Sequence, residues 1–131
     1  MSNGFELSIV LPARPQNIYF AWLSSDGHSA LTGSPARVDG KVGGKFNAWD
    51  GYIFGVTLEL DKPRRIVQAW RTTEFPEDAP DSRVEILLDA VEGGTKLTLT
   101  HSDMPPDQVD SYRQGWEDFY FKPMREYFAK K

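Results

Sequence analysis

Few residues of this chain combine a reactive side chain with a spacing that chemistry could use. His101 is the sharpest of them, because it alternates with Leu97 and Leu99 and a strand period therefore turns its imidazole inward. An inward neutral imidazole binds a ligand oxygen, acts as a general base, or is hydrogen-bonded within the core. Asp26 and His28 are near neighbours, but one carboxylate and one imidazole without a third partner make neither a metal site nor a triad. The glycines of the run from Gly40 to Phe46 lack the spacing and the terminal Lys-Ser or Lys-Thr of a phosphate loop, so they read as a turn. With no cysteine, thiol nucleophiles, thiolate metal sites and disulfides are excluded. No catalytic residue, metal ligand or cofactor is therefore assigned. Glu74, Glu77, Asp78 and Asp81 form an acidic stretch, either a contact for a basic partner or a solvated connection.

The elements that must position these groups follow from hydrophobic period. Phe5, Leu7, Ile9 and Leu11 alternate with polar residues or Val10 up to Pro12, which predicts a strand with one buried face. Pro15 opens a short helix to Leu23, and a second helical turn runs from Asp26 to Leu31. Short strands are expected at Arg37 to Asp39 and Lys45 to Trp49, followed by a longer one from Tyr52 to Leu60. In that longer strand Tyr52, Phe54, Val56, Leu58 and Leu60 share the apolar face, which is taken as the inner one. Ile66, Gln68 and Trp70 mark the inner face of the next strand, and Val84, Ile86, Leu88 and Ala90 that of the one after. Gly93 and Gly94 turn the chain back into Leu97, Leu99 and His101. Beyond Pro105 and Pro106, aromatic residues from Tyr112 to Phe128 recur at three- and four-residue steps and predict a long C-terminal helix. Pro123 should kink it or interrupt one hydrogen bond.

The 131 residues suit a single domain spanning 1–131 with its own core. A formal charge of -4 gives no attraction to nucleic-acid backbones or anionic lipid. No stretch approaches the ~20 apolar residues of a membrane span, and the first residues lack the basic start and apolar core of a targeting segment. An untargeted cytoplasmic protein is expected.

The order of strand, short helices, run of strands and long helix resembles the START-like superfamily, also called SRPBCC or birch-pollen-allergen-like. Its α+β helix-grip fold wraps a curved antiparallel sheet around a C-terminal helix. Within it, several runs resemble the branch named for the C-terminal domain of the activator of the 90-kDa heat-shock protein's ATPase. These are Gly44-Lys45-Phe46, Trp49-Asp50-Gly51-Tyr52-Ile53, Leu58-Glu59-Leu60, Ile66 through Arg71, Gly94 through Leu97, Thr100-His101 and Gly115-Trp116.

The resemblance implies a hydrophobic ligand cavity between sheet and helix. Phe54, Gln68, Trp70, Leu88, Leu99 and His101 would face it from the strands, and Tyr112, Trp116 and Tyr120 from the helix. The same rings, at ~150 to 250 Å² each, are also large enough to fill that space as core. Three functions stay open: a binding module for an apolar or amphipathic small molecule, a chaperone-linked or stress-response interaction module, and a cyclase-like enzyme using the same cavity. The absence of any paired-acid, nucleophile or metal constellation favours the first.

Overall fold

The computed structural model describes residues 4–130, so residues 1–3 and 131 of the expected domain lie outside it. Strand β1 (Phe5–Leu11) leads into helices α1 (Pro15–Trp22) and α2 (Ser25–Thr32). Strands β2 (Arg37–Val38), β3 (Lys45–Ala48), β4 (Ile53–Asp61), β5 (Arg65–Thr72), β6 (Ser82–Val91) and β7 (Gly94–Ser102) follow. They form one antiparallel seven-stranded sheet in the order β1-β7-β6-β5-β4-β3-β2, so β1 returns to pair with the last strand. The C-terminal helix lies across the concave face as α3 (Val109–Trp116), a widened turn (Glu117–Phe121) and α4 (Lys122–Ala129). This is the helix-grip fold expected from the sequence.

Local chemistry explains most of the boundaries. Pro15 occupies the first turn of α1, where its missing N–H is no loss. Ser24 caps α2 by accepting the Gly27 N–H at 2.9 Å. The alternation in β1, β5, β6 and β7 places Ile9, Leu11, Ile66, Ile86, Leu97 and Leu99 in the core with almost no exposure. Ala90 departs from the expected inner face and is exposed, as are its neighbours Asp89 and Val91 at the end of β6.

Strand β4 corrects the expectation on a larger scale. Its inner face is Ile53, Gly55 and Thr57, whereas Phe54 is 38% exposed and Leu58 44% exposed. Cross-strand partners share a face, and Ile53 and Gly55 pair with the buried Ala48 and Phe46. Phe54 pairs with Asn47 on one side and Arg71 on the other, which puts it on the convex face and removes it from any internal site. The inner face of β4 was hidden because it carries small and polar residues. A Cβ at Gly55 would sit 2.9 Å from Cζ of Phe46, so that ring covers the strand where a side chain would otherwise stand. A bulge between Thr57 and Glu59 then shifts the register.

The irregularity expected at Pro123 is a π-type turn. The Lys122 N–H donates to the Glu117 carbonyl, a five-residue step, one residue before the proline that lacks an N–H to donate. The wider turn brings the adjacent residues Tyr120 and Phe121 both into buried positions.

Candidate functional site

A cleft of about 530 Å³ opens between the β3–β4 turn, the end of β5 and the helix. The turn contributes Trp49 and Tyr52, with Ile53 at its foot, and β5 contributes Trp70. The helix supplies Tyr112, Trp116, Phe119 and Tyr120, with Ser111 and Gly115 leaving room between them. Glu74, just beyond β5, is the carboxylate at the rim.

The turn is built from an unusual backbone. Trp49 and Asp50 have φ of 54° and 57°, followed by Gly51 at 89°. Left-handed geometry suits Gly51, is tolerated by aspartate, and is a true outlier for a residue as large as tryptophan. Each such non-glycine residue costs of order 1–3 kcal/mol and persists only where its surroundings hold it. Here the Asp50 N–H donates to the Pro35 carbonyl at 3.0 Å and the Tyr52 N–H to the Trp49 carbonyl at 3.2 Å. The outcome is that the Trp49 ring meets Phe119 at 5.5 Å and Tyr120 at 6.4 Å, bridging turn and helix across the cleft.

Behind the cleft, His101 is part of a closed relay. The Trp116 Nε1–H donates to His101 Nδ1 at 3.0 Å, and indole has no acceptor, so Nδ1 carries no proton. His101 Nε2–H then donates to Ser82 Oγ at 2.8 Å, and that hydroxyl donates to the Trp70 carbonyl at 2.6 Å. Burial pushes the imidazole pKa down to about 3. The ring is a neutral core histidine with both nitrogens engaged and has neither a free lone pair nor a spare proton for a ligand in the cleft.

His28 sits in a second relay that sequence reasoning missed. Its Nδ1–H donates to the Trp22 carbonyl at 2.9 Å, and its Nε2 accepts from the Tyr120 hydroxyl at 2.8 Å. Burial lowers its pKa to about 4, partly opposed by the bond to Trp22, and burial raises that of Tyr120. The Trp49 Nε1–H lies near the Tyr120 hydroxyl without reaching hydrogen-bond geometry, and it is the buried side-chain donor left unpaired among the described residues. Asp26 takes no part in this relay.

At the rim the polar groups are interlocked. The Tyr52 hydroxyl donates to a Glu74 carboxylate oxygen. The Glu74 N–H donates to Thr72 Oγ1 at 3.1 Å, and Gln108 Nε2 donates to the Glu74 carbonyl at 3.0 Å. The Tyr112 hydroxyl donates to Gln108 Oε1 at 2.7 Å and lies 2.6 Å from Thr72 Oγ1. The rest of the acidic loop is held by Arg71, which donates to Asp81 at 2.9 Å and to the carbonyls of Ala79 and Pro76.

Of the residues expected to face a cavity, Trp70, Tyr112, Trp116 and Tyr120 come together at the cleft. Gln68, Leu88, Leu99 and His101 lie behind it in the core. Gln68 is satisfied there, accepting from Trp22 Nε1 and donating to Thr57 Oγ1, both at 3.1 Å. Phe54 is on the far side of the sheet. Trp49, Tyr52, Glu74, Gly115 and Phe119 were not anticipated at the site. The pointers to them were the run Trp49-Asp50-Gly51-Tyr52 and the presence of Phe119 at the margin of the helical aromatic stripe.

A curved sheet gripping a helix is the helix-grip fold, which Ara h 8.0201 shares at 18% identity with a TM-score of 0.75, over 100% of both chains. Residues 12–129 match the family described as activator of Hsp90 ATPase homolog 1-like protein, and the chain belongs to that family. The activator of 90 kDa heat shock protein ATPase homolog 1 of Homo sapiens is 28% identical over 115 residues, covering 88% of this chain and 34% of the human protein. The chain thus spans about a third of the length of that relative. The crystal structure of PFC0360w, an HSP90 activator from Plasmodium falciparum, is 29% identical with a TM-score of 0.84, covering 95% of this chain and 94% of that one. No helix among the described residues is long and apolar enough to cross a membrane.

Proposed function

We propose that this chain is a small-molecule-binding module whose ligand, apolar or amphipathic, enters the cleft between the β3–β4 turn and the C-terminal helix. The observation that carries this reading is a cleft of about 530 Å³ walled by aromatic side chains from three separate elements. Its volume falls inside the range of about 300–1,000 Å³ typical of ligand pockets. Its walls are backed by relays that engage Gln68, His28 and His101 and leave the rings as most of the lining.

The test is a native mass spectrum and a thermal melt before and after delipidation. A bound mass whose removal lowers the melt supports the reading, since a ligand that binds only the folded state stabilises it. The control is Gly115→Leu: a Cβ at Gly115 meets only Cδ2 of Phe119, at 3.8 Å, so the side chain grows into open space. An unchanged co-purifying mass in Gly115→Leu would remove the cleft as its site.

A second reading, a chaperone-linked interaction module, is favoured by the family and by the whole-chain match to the Plasmodium falciparum HSP90 activator. It predicts that the purified chain raises the ATPase rate of Hsp90. No change in that rate at saturating concentration argues against it.

A further inference from the structure

We propose that the ligand of this cleft carries an organic cation, an alkyl- or arylammonium group, received at the rim by the Glu74 carboxylate and by the aromatic rings beside it. This rests on the reading of the cleft as a small-molecule site and names the chemistry of its occupant.

The charge balance of the walls is the first ground. Glu74 is the acidic side chain among the lining residues, and the lining includes no lysine or arginine. Arg71, the nearest cation along the chain, is committed to Asp81 and to two loop carbonyls. Among the described residues Glu74 has no ion-pair partner. An anionic head group would therefore meet a carboxylate with nothing to neutralise it. A cation would complete the site.

The second ground is that Glu74 is fixed in place. Its backbone is tied on both sides, to Thr72 and to Gln108, and its carboxylate accepts one bond from Tyr52. A carboxylate offers about four lone-pair sites, so most of its accepting capacity remains available. Burial raises the pKa of Tyr112, opposed by its hydrogen bonds to Thr72 and Tyr52, and the nearby carboxylates of Glu74 and Asp107 act in the same direction as burial.

The third ground is the chemistry of the walls. The tryptophan N–H of Trp116 and the hydroxyls of Tyr112 and Tyr120 are already bonded to His101, Gln108 and His28. What these side chains offer a ligand is their π systems. Electron-rich rings around a cleft with one acidic group are the means by which proteins recognise quaternary ammonium ions, where a charge is attracted to the ring within about 6 Å of its centroid.

Phenyltrimethylammonium, its neutral isostere tert-butylbenzene and the anion benzenesulfonate share an aromatic body and a tetrahedral head. Titrating the full chain with each, followed by tryptophan fluorescence and by the indole N–H signals in NMR spectra, separates charge from shape. The expected result is that the cation binds about tenfold or more tightly than the neutral isostere, and the anion most weakly. Glu74→Gln should lower the affinity for the cation by about threefold or more toward that of the isostere, the rings retaining the remainder of the preference, while the isostere's own affinity and the thermal melt change little. Equal binding of cation and isostere to the wild type overturns the cation and leaves the cleft standing as a small-molecule site. A cation preference undiminished in Glu74→Gln overturns the role of Glu74. Failure of all three probes to bind overturns the cleft reading together with the cation.

Discussion

Trp116 divides the space between sheet and helix into two regions of opposite character. On its inner side, His101, Ser82, Gln68 and Trp22 are buried and their polar side-chain atoms hydrogen-bonded, on backbone that is regular strand and helix. On its outer side, among the described residues, Trp49 leaves an indole donor unpaired and Glu74 has no ion-pair partner, and the backbone at Trp49 and Asp50 is left-handed. The inner region is occupied by its own side chains and can only support. The outer one has groups left over, and groups left over are what a partner molecule can use. The residue that looked most chemical in the sequence, His101, belongs to the first region.

The largest effect should come from removing the divider. Trp116→Ala empties a nearly fully buried ring and takes away the donor to His101 Nδ1, and should destabilise the fold by about 3–5 kcal/mol in urea denaturation. Trp116→Phe keeps most of the volume and loses the donor, so its cost should be about 1–3 kcal/mol. A Trp116→Phe as stable as the wild type would sink the account of the inner relay.

The inner region should also impose a pH dependence of defined sign. His28 and His101 are neutral in the fold, with pKa values lowered from 6.5 to about 4 and about 3. The unfolded chain therefore binds more protons than the native one below pH 6.5, so this contribution to stability is complete above that pH and lost as pH falls toward 4 and 3. The slope should approach about 1.4 kcal/mol per pH unit for each histidine within the window. His28→Gln should leave about half of it, measured as denaturation midpoints against pH. A slope unaltered by removing either imidazole would assign the acid sensitivity to carboxylates instead.

Changes confined to the outer region should leave the fold nearly untouched. Gly115→Leu should abolish ligand uptake while stabilising α3 by up to about 1 kcal/mol through helix propensity. Tyr52→Phe removes a hydroxyl at the half-exposed rim and should alter stability by no more than about 0.5 kcal/mol. A large loss of stability in either would mean that the two regions are coupled and not separable.

The sheet, the short helices and the inner position of His101 were legible because alternation and helical spacing survive wherever one face is buried. Phe54 was misplaced for the same reason: its strand is apolar on the convex face, and parity is decided by the pairing of Ile53 with Ala48, which no single strand reveals. The cleft was only half legible. Its helical side follows the aromatic stripe, but Trp49, Tyr52 and Glu74 lie in turns, where no period operates and position is set by backbone geometry. Pro123 announced an irregular helix without saying that the turn before it would widen.

That widened turn makes one helix serve as two. Upstream of it, Tyr112, Gly115 and Trp116 present themselves to the cleft, and downstream α4 packs against α2 and β1. Because the change of pitch lies between them, the half that meets a guest and the half that packs against α2 and β1 can be rebuilt separately. A designer could exchange the contents of the first, and so the choice of guest, while the second goes on closing the fold.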